Sequence, residues 1–308
     1  MKNIIKLLPI SLIIVIASLT SCTPDSYSMA SSAPDMSLYK EGTDFTITQL
    51  SNPNYIVLVN NRPNMVARWV YVANNGISND FASTTNRDTL VLPYGGIYSF
   101  AIQYEGSGGL SQASDSVKFT LPTNKSLIVD PDNLWTKLCG PTGTKTWVLD
   151  LDANGKSYGA YKGSLFFYDT RFDWDYIAGI KTPTTDMWSW CPDWPGNTWL
   201  MPAMNYGTMT FNSDNLHMTA VRNAENVTTT GTFMLDGVNH TMTVKRTAIL
   251  IDASRVPVVS KRSSIKIFSM TDNLMQLAVM RDNDPTQSNC ALVYNYIPLT
   301  LYQQLSGN

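Results

Sequence analysis

The chain has 308 residues, in which 22 lysines and arginines oppose 24 aspartates and glutamates, so the formal net charge is −2. Because this balance offers no basic surface, we expect no nucleic-acid partner. Charged residues make up only 15% of the chain. Such a hydrogen-bonding surface suits a neutral partner such as a sugar, although many exported β-proteins share it. The length is sufficient for two domains.

Residues 1–21 have the pattern of a bacterial export signal. Lys2 and Lys6 precede the apolar run Leu7–Leu19, which is too short to cross a bilayer as a permanent helix. The following Thr-Ser-Cys resembles the lipobox of bacterial lipoproteins, which implies a lipid on Cys22 at the mature N-terminus. The alternative is an ordinary secretory signal with an incidental cysteine. With the lipid in place we expect a membrane-anchored protein.

The next two segments are predicted as a tether and a small domain. Residues 22–37 are rich in serine, proline and alanine, which predicts a flexible tether. Residues 38–125 contain six short strand-like runs separated by turn formers, which predicts an immunoglobulin-like β-sandwich with Trp69 in its core. The run LVLPYGGIYSFAIQYEGSGG resembles the end of a PKD domain, with VYVANNG in place of that family's acidic-glycine motif. The resemblance implies a divergent PKD-like spacer domain.

Residues 126–308 form the larger predicted domain. About ten strand-like segments separated by turns predict a jelly-roll-like β-sandwich or an up-and-down β-barrel, so the whole chain is predicted to be all-β. Trp147 lies within an alternating segment and is expected in the core, whereas Trp135 is expected at the junction between the domains. The predicted segments are Thr146–Leu151, Ser164–Tyr168, Tyr206–Phe211, Leu216–Ala220, Thr230–Leu235, Thr241–Lys245, Ala248–Ile251, Ser264–Met270, Leu274–Met280 and Ala291–Ile297.

The stretch Asp186–Trp199 (DMWSWCPDWPGNTW) combines four tryptophans with proline, glycine and asparagine, which are turn and loop formers. A surface loop cannot bury many indoles, so at least one ring should face solvent. An indole offers a flat face to the C–H face of a sugar, and neighbouring carboxylates can accept hydrogen bonds from the hydroxyl groups of that sugar. A second cluster upstream, RFDWDY, alternates rings and carboxylates. The alternative is that these rings pack as a satellite core over one end of the domain.

From Trp135 to the C-terminus, the order of several motifs resembles the carbohydrate-binding region of surface glycan-binding lipoproteins of Bacteroidetes. The motifs are LWTKLCGPTGTKTWVLDLDANGK, DMWSWCPDWPGN, YGTMTFN, SIKIFSMTDNLMQLAVMRDND and ALVYNYIP. The resemblance implies an outer-membrane lipoprotein that faces the cell surface and captures a polysaccharide for uptake without catalysis. It implies a TonB-dependent transporter and a SusD-like lipoprotein as partners. It assigns ligand contact to exposed loop aromatics, and the resulting candidates are Trp188, Trp190, Trp194 and Trp174, with Asp186 and Asp193 beside them.

A calcium loop is the one candidate cofactor site in the sequence. Asp150-x-Asp152-x-Asn154-Gly155 has the oxygen spacing of the first half of such a loop, but Tyr161 stands where the bidentate acid belongs. An Asn-Gly turn between two strands explains the same residues. Calcium at Asp150, Asp152 and Asn154 therefore stays a candidate, and no other cofactor is expected.

Two other classes of protein remain alternatives to a binding protein. Most glycosidases use two carboxylates, and only Glu225 of the three glutamates falls in the larger domain. An aspartate pair, such as Asp173 with Asp186, stays open. The third class is a lipid-anchored adhesin or fimbrial subunit, although no donor-strand segment is evident.

The cysteines restrict the cross-links of the exported chain. Beyond Cys22 there are only Cys139, Cys191 and Cys290, which can form one disulfide at most or remain three thiols. With two histidines and no Cys-x-x-Cys spacing, a zinc site is not expected.

Overall fold

The computed structural model describes residues 32–73 and 78–307. Outside these ranges lie the predicted export signal, Cys22 and most of the tether. What the sequence indicates about them stays a prediction. Within these ranges no helix combines the length and apolar character needed to span a membrane.

The first domain is a sandwich of two antiparallel sheets, in agreement with the prediction. One sheet has the strand order β1-β2-β5, and the other has the order β4-β3-β6-β7 with β8 also paired to β6. The six predicted segments form strands, and the structure adds the polar β4 and the two-residue β7. The bounds are β1 Phe45–Gln49, β2 Tyr55–Asn60, β3 Val66–Ala73, β4 Ser78–Ser83, β5 Arg87–Val91, β6 Gly96–Gly106, β7 Gly109–Leu110 and β8 Val117–Leu121.

Trp69 occupies the centre of this sandwich, as its mid-strand position predicts. Its ring is almost fully buried and meets Phe45 edge-on, with 6.3 Å between ring centroids. The indole N–H donates to the carbonyl of Thr85 at 3.0 Å, so the polar atom of this core ring is satisfied. Met36, near the end of the predicted tether, is also buried in this cluster. The sandwich therefore begins a few residues before its first strand.

The larger domain is a closed barrel of eight antiparallel strands, so the up-and-down barrel is the correct one of the two predicted architectures. Each barrel strand pairs with the next barrel strand along the chain. The last of them, β18, closes the barrel onto the first, β9, through the pairs Tyr296–Leu149 and Pro298–Trp147. The jelly-roll alternative is wrong, because it would need crossings between two sheets. The bounds are β9 Thr144–Leu149, β12 Gly207–Asn212, β13 His217–Arg222, β14 Val227–Asp236, β15 Thr241–Lys245, β16 Ser264–Met270, β17 Met275–Arg281 and β18 Cys290–Pro298.

Two strands branch off the barrel between β9 and β12. β10 (Leu165–Tyr168) pairs with the first half of β18, and β11 (Ser189–Trp190) pairs with β10. The chain between them includes the short helix Trp174–Ile177 and packs on the outer face of the barrel, against Phe268 among others. Strand pairing through β10 therefore holds this part of the aromatic stretch beside β18.

The interior of the barrel is filled by the connection between β15 and β16. The segment Ala248–Ile251 is irregular, which corrects the prediction of a strand there, and it is buried among the inward-facing side chains. Its Leu250 carbonyl accepts from the Tyr296 hydroxyl at 2.6 Å, and its N–H points to the Met209 sulfur at 3.3 Å. A short apolar run has the same pattern in a buried strand and in a buried loop, which explains the error.

One end of the barrel is closed by the helix Leu134–Cys139. The indole N–H of Trp147, on the first barrel strand, donates to the Leu138 carbonyl at 2.9 Å, and Trp147 is fully buried as predicted. Trp135 lies between Tyr94 of the first domain and Phe233 of the barrel, with centroid distances of 4.9 and 5.4 Å. It therefore lies at the domain junction, as predicted. After β18 the chain ends in a helix, Leu299–Ser306.

Candidate functional site

The opposite end of the barrel carries an open pocket of about 310 Å³. It lies where β17 ends, β18 begins and the segment that fills the barrel emerges, and β10 and β11 form one wall. Three of the four tryptophans of the Asp186–Trp199 stretch line it, together with polar side chains from the opposite wall. We call this feature the mouth pocket.

An aromatic row forms one wall of the mouth pocket. Trp190 lies directly opposite Phe167 in the pairing of β11 with β10, so both rings project from the same face. These two rings are near-parallel, with centroids 5.2 Å apart and planes inclined by 22°. Trp199 continues the row on the other side of Trp190, at 5.9 Å and 23°.

The indoles of this wall are open to solvent to different degrees. Trp199 is 72% exposed, whereas Trp188 and Trp190 are 43% and 41% exposed. Trp188 is two residues before Trp190, so both side chains leave the strand on the same side. Exposed large rings in one contiguous patch are unusual on a protein surface and typically mark a binding site.

The opposite wall is polar and carries two guanidinium groups. Arg281, the last residue of β17, donates to the Gln287 side-chain oxygen and, at 2.7 Å, to the Ser288 carbonyl. Asp284 lies half-buried at the rim, where its carboxylate accepts from the N–H and hydroxyl of Thr286, both at 2.8 Å. The backbone hydrogen bond from Thr286 lowers the pKa of Asp284, so this carboxylate is ionised at neutral pH.

Arg255 connects the mouth pocket to the filled interior. Its Nη1 donates to the carboxylate of Asp252 at 2.9 Å and to the Leu200 carbonyl at 2.8 Å, and its guanidinium lies 5.6 Å from the centre of the Phe167 ring. Asp252 is fully buried and also accepts from the Tyr294 hydroxyl at 2.8 Å. The base of the aromatic row is therefore fixed by an ion pair inside the barrel.

Two of the predicted tryptophans lie outside the mouth pocket. Trp174 stacks flat on His240, with centroids 4.2 Å apart, and His240 in turn contacts the Asp132 carboxylate at 2.7 Å. Trp194 donates its indole N–H to the Met201 carbonyl at 3.0 Å and covers Gly155. Both rings have packing partners, so the structure brings only Trp188 and Trp190 of the four candidates into the pocket.

The predicted binding aspartates, Asp186 and Asp193, are also not among the residues that line the pocket. Asp186 accepts from Arg171 at 2.7 Å and from the Thr184 hydroxyl at 2.6 Å. These bonds, that from Thr184 foremost, lower its pKa, which is the reverse of what a general acid needs. Asp173 caps the short helix after it by accepting from the Asp175 N–H at 3.1 Å. The aspartate pair considered for a glycosidase is therefore engaged in fixing its own loops.

The calcium candidates form a hydrogen-bonded loop. The Asp150 carboxylate accepts from Ser157 at 2.6 Å and from two backbone N–H groups, and Asp152 accepts from the N–H groups of Asn154 and Lys156 at 2.8 and 2.9 Å. Burial raises the pKa of Asp150 despite these bonds. Protein donors thus occupy the oxygens that calcium would need. In the described ranges no three acidic, histidine or cysteine side chains converge.

None of the three cysteines in the described part of the chain forms a disulfide. Cys139 and Cys290 are buried, and Cys191 is exposed, with its sulfur 3.1 Å from the Tyr168 hydroxyl. Of the two alternatives left open by the sequence, the structure therefore shows three thiols and no disulfide among the described residues.

Sequence reasoning missed several residues of the mouth pocket. Trp199 belongs to the same aromatic stretch, so its composition gave a usable signal. Phe167 has the pattern of an ordinary core strand residue, and Arg281 and Gln287 are 114 and 120 residues further along the chain. These residues meet only because β10 and β17 pair with the two edges of β18.

Comparisons with known proteins give no independent indication of what the mouth pocket binds. No protein-family model matches the chain, and a search of curated proteins found no significant match. The resemblance to surface glycan-binding lipoproteins stays a prediction from motifs.

Proposed function

We propose that the protein is a non-catalytic carbohydrate-binding protein, which holds a polysaccharide in the mouth pocket. The observation that carries this proposal is the row of near-parallel rings in which Trp190 and Trp199 are exposed. Trp199 stacks on Trp190 and is 72% exposed, so it offers open indole surface to the C–H face of a sugar, and ring faces contribute strongly to compact interfaces.

The polar wall supplies the second requirement of sugar recognition. Gln287, Asp284 and Ser254 line the pocket across from the rings and offer donors and acceptors for hydroxyl groups. The pocket is open at one side, which suits a segment of a long polymer. Binding by rings and side chains that are already held in place limits the entropy lost on association.

A binding role is favoured over hydrolysis by the make-up of the pocket. Asp284 is the one carboxylate among its described lining residues, and its lowered pKa suits an acceptor rather than a proton donor. Most glycosidases need two carboxylates on opposite sides of the bond. The proposal includes anchoring through a lipid on Cys22 and delivery of the glycan to a TonB-dependent transporter with a SusD-like lipoprotein, as the motif resemblance implies.

Affinity gel electrophoresis against a panel of polysaccharides tests the proposal. We expect at least one polymer to retard the protein, and we expect Trp190→Ala and Trp199→Ala to abolish that retardation. Trp174→Ala is the matched control, because this ring packs on His240 away from the pocket, and retardation should persist. Reducing sugar released by the unmodified protein would instead support a glycosidase, and assembly into fibres would support an adhesin.

A further inference from the structure

Arg281 is a buried cation that forms no close ion pair with a carboxylate in the described part of the chain, although its charge contributes to lowering the pKa of Asp284. Its side chain lines the mouth pocket, and the residue is only 9% exposed. Its hydrogen bonds go to neutral acceptors, the Gln287 amide and the Ser288 carbonyl, and its Nε–H is buried without any partner. A guanidinium remains protonated at any pH that the fold survives, so the charge persists.

The other largely buried guanidinium groups of the barrel are paired. Arg255 forms an ion pair with Asp252 at 2.9 Å, and Arg222 and Arg262 both contact Glu225 at 2.6 and 2.7 Å. Burying a charge without an opposite charge is costly, and proteins normally avoid it unless a ligand completes the pair. Arg281 departs from this pattern, because it has no such ion pair and it lines an open pocket.

We propose that the sugar bound in the mouth pocket carries an oxyanion, either a uronate carboxylate or a sulfate ester, which pairs with Arg281. This inference rests on the proposed function and narrows it to acidic glycans. The planar guanidinium fork matches two oxygens of a carboxylate or sulfate, and such charge-assisted bonds are stronger than neutral ones. The ring row then holds the sugar face, and Arg281 selects the acidic substituent.

Asp284 is the one opposing charge on the pocket wall. It is half-buried and accepts from Thr286, so solvent screens it more than the buried Arg281 is screened. Arg255 on the same wall is already neutralised by Asp252, so the attraction for an anion comes from Arg281. An anion that approaches Arg281 should still be repelled by Asp284, so removal of this carboxylate should strengthen binding.

The test uses two matched pairs of polymers and the full-length protein without its signal. Polygalacturonate is compared with its methyl-esterified form, and dextran sulfate is compared with dextran, by isothermal titration at low and physiological ionic strength. We expect one acidic polymer to bind at least about tenfold more tightly than its neutral partner at low ionic strength. The acidic polymer that shows this preference identifies the substituent as carboxylate or sulfate.

Three variants separate the acidic preference from binding itself. Arg281→Gln should remove the preference, Arg281→Lys should keep part of it, and Asp284→Asn should tighten the acidic polymer a few-fold. If Arg281→Gln fails to fold, the effect of Asp284→Asn and the salt dependence of binding still test the preference for the acidic polymer. Binding that depends on Trp199 with no preference for the acidic polymer would overturn this inference but keep the proposed function. Failure of all four polymers and of a wider neutral panel would overturn both.

Discussion

The inside of the barrel and its mouth use the same kinds of residue in opposite ways. Inside, the segment Ala248–Ile251 and the Asp252–Arg255 pair fill the space that an eight-stranded barrel can leave for a small ligand. At the mouth, Trp190 and Trp199 are left open beside an unpaired arginine. The barrel therefore supports a site at its surface, and its interior is occupied by its own side chains.

The largest effect should come from breaking the filled interior. Asp252→Ala leaves the buried guanidinium of Arg255 without its partner, so we expect a loss of about 3–5 kcal/mol in the free energy of unfolding. Urea denaturation followed by circular dichroism measures it. Asp284→Ala, at the half-buried rim and without an ion pair to break, is the control and should cost less than about 1 kcal/mol. An equal, small effect of both variants would contradict the filled interior.

The next effect separates packing tryptophans from binding tryptophans. Gly155 has φ +73°, and an added Cβ would lie 2.5 Å from the Trp194 ring. We expect Gly155→Ala to cost about 2–4 kcal/mol through backbone strain and overlap. Gly42→Ala has a similar φ of +84° with no atom within 4 Å, so it reports the strain alone. If the two variants unfold at the same urea concentration, Trp194 does not pack on Gly155 and returns as a binding candidate.

A smaller effect on stability is expected at the mouth. Because Trp199 is mostly exposed, Trp199→Ala should change the free energy of unfolding by less than about 0.5 kcal/mol, even though it abolishes binding. Thermal unfolding without ligand measures this. A loss above about 1.5 kcal/mol would instead support the alternative that these rings form a satellite core.

The smallest effect concerns the loop that leads into β11. The side chain and N–H of Arg171 lower the pKa of Asp169 to about 2, and the Asp169 N–H donates to the Trp188 carbonyl at 2.9 Å. A lowered pKa stabilises the fold above the ordinary value near 3.8 and loses this contribution as the pH falls toward 2. Because Arg171 is half-exposed, the contribution should be below about 1 kcal/mol. Asp169→Asn should flatten the pH dependence of stability between about pH 4 and 2, and an unchanged profile would contradict it.

Much of the architecture could be predicted from the sequence because it depends on local patterns. Alternating runs and turn formers located the strands of both domains, and Trp69 and Trp147 were predicted in the cores where they lie. The pattern failed for Ala248–Ile251, since burial on all sides leaves no periodicity to distinguish a strand from a loop. Composition located the aromatic stretch but could not say which rings face solvent.

By itself, the sequence determined that this is an all-β protein of two units with an aromatic-rich loop, because hydrophobic periodicity and turn chemistry act over a few residues. The tertiary structure alone decided that the barrel closes, that its interior is filled and that Trp190, Trp199 and Arg281 share one pocket. The physical reason is that strand pairing brings together residues far apart in the chain. Whether a ring packs or stays open depends on those distant neighbours.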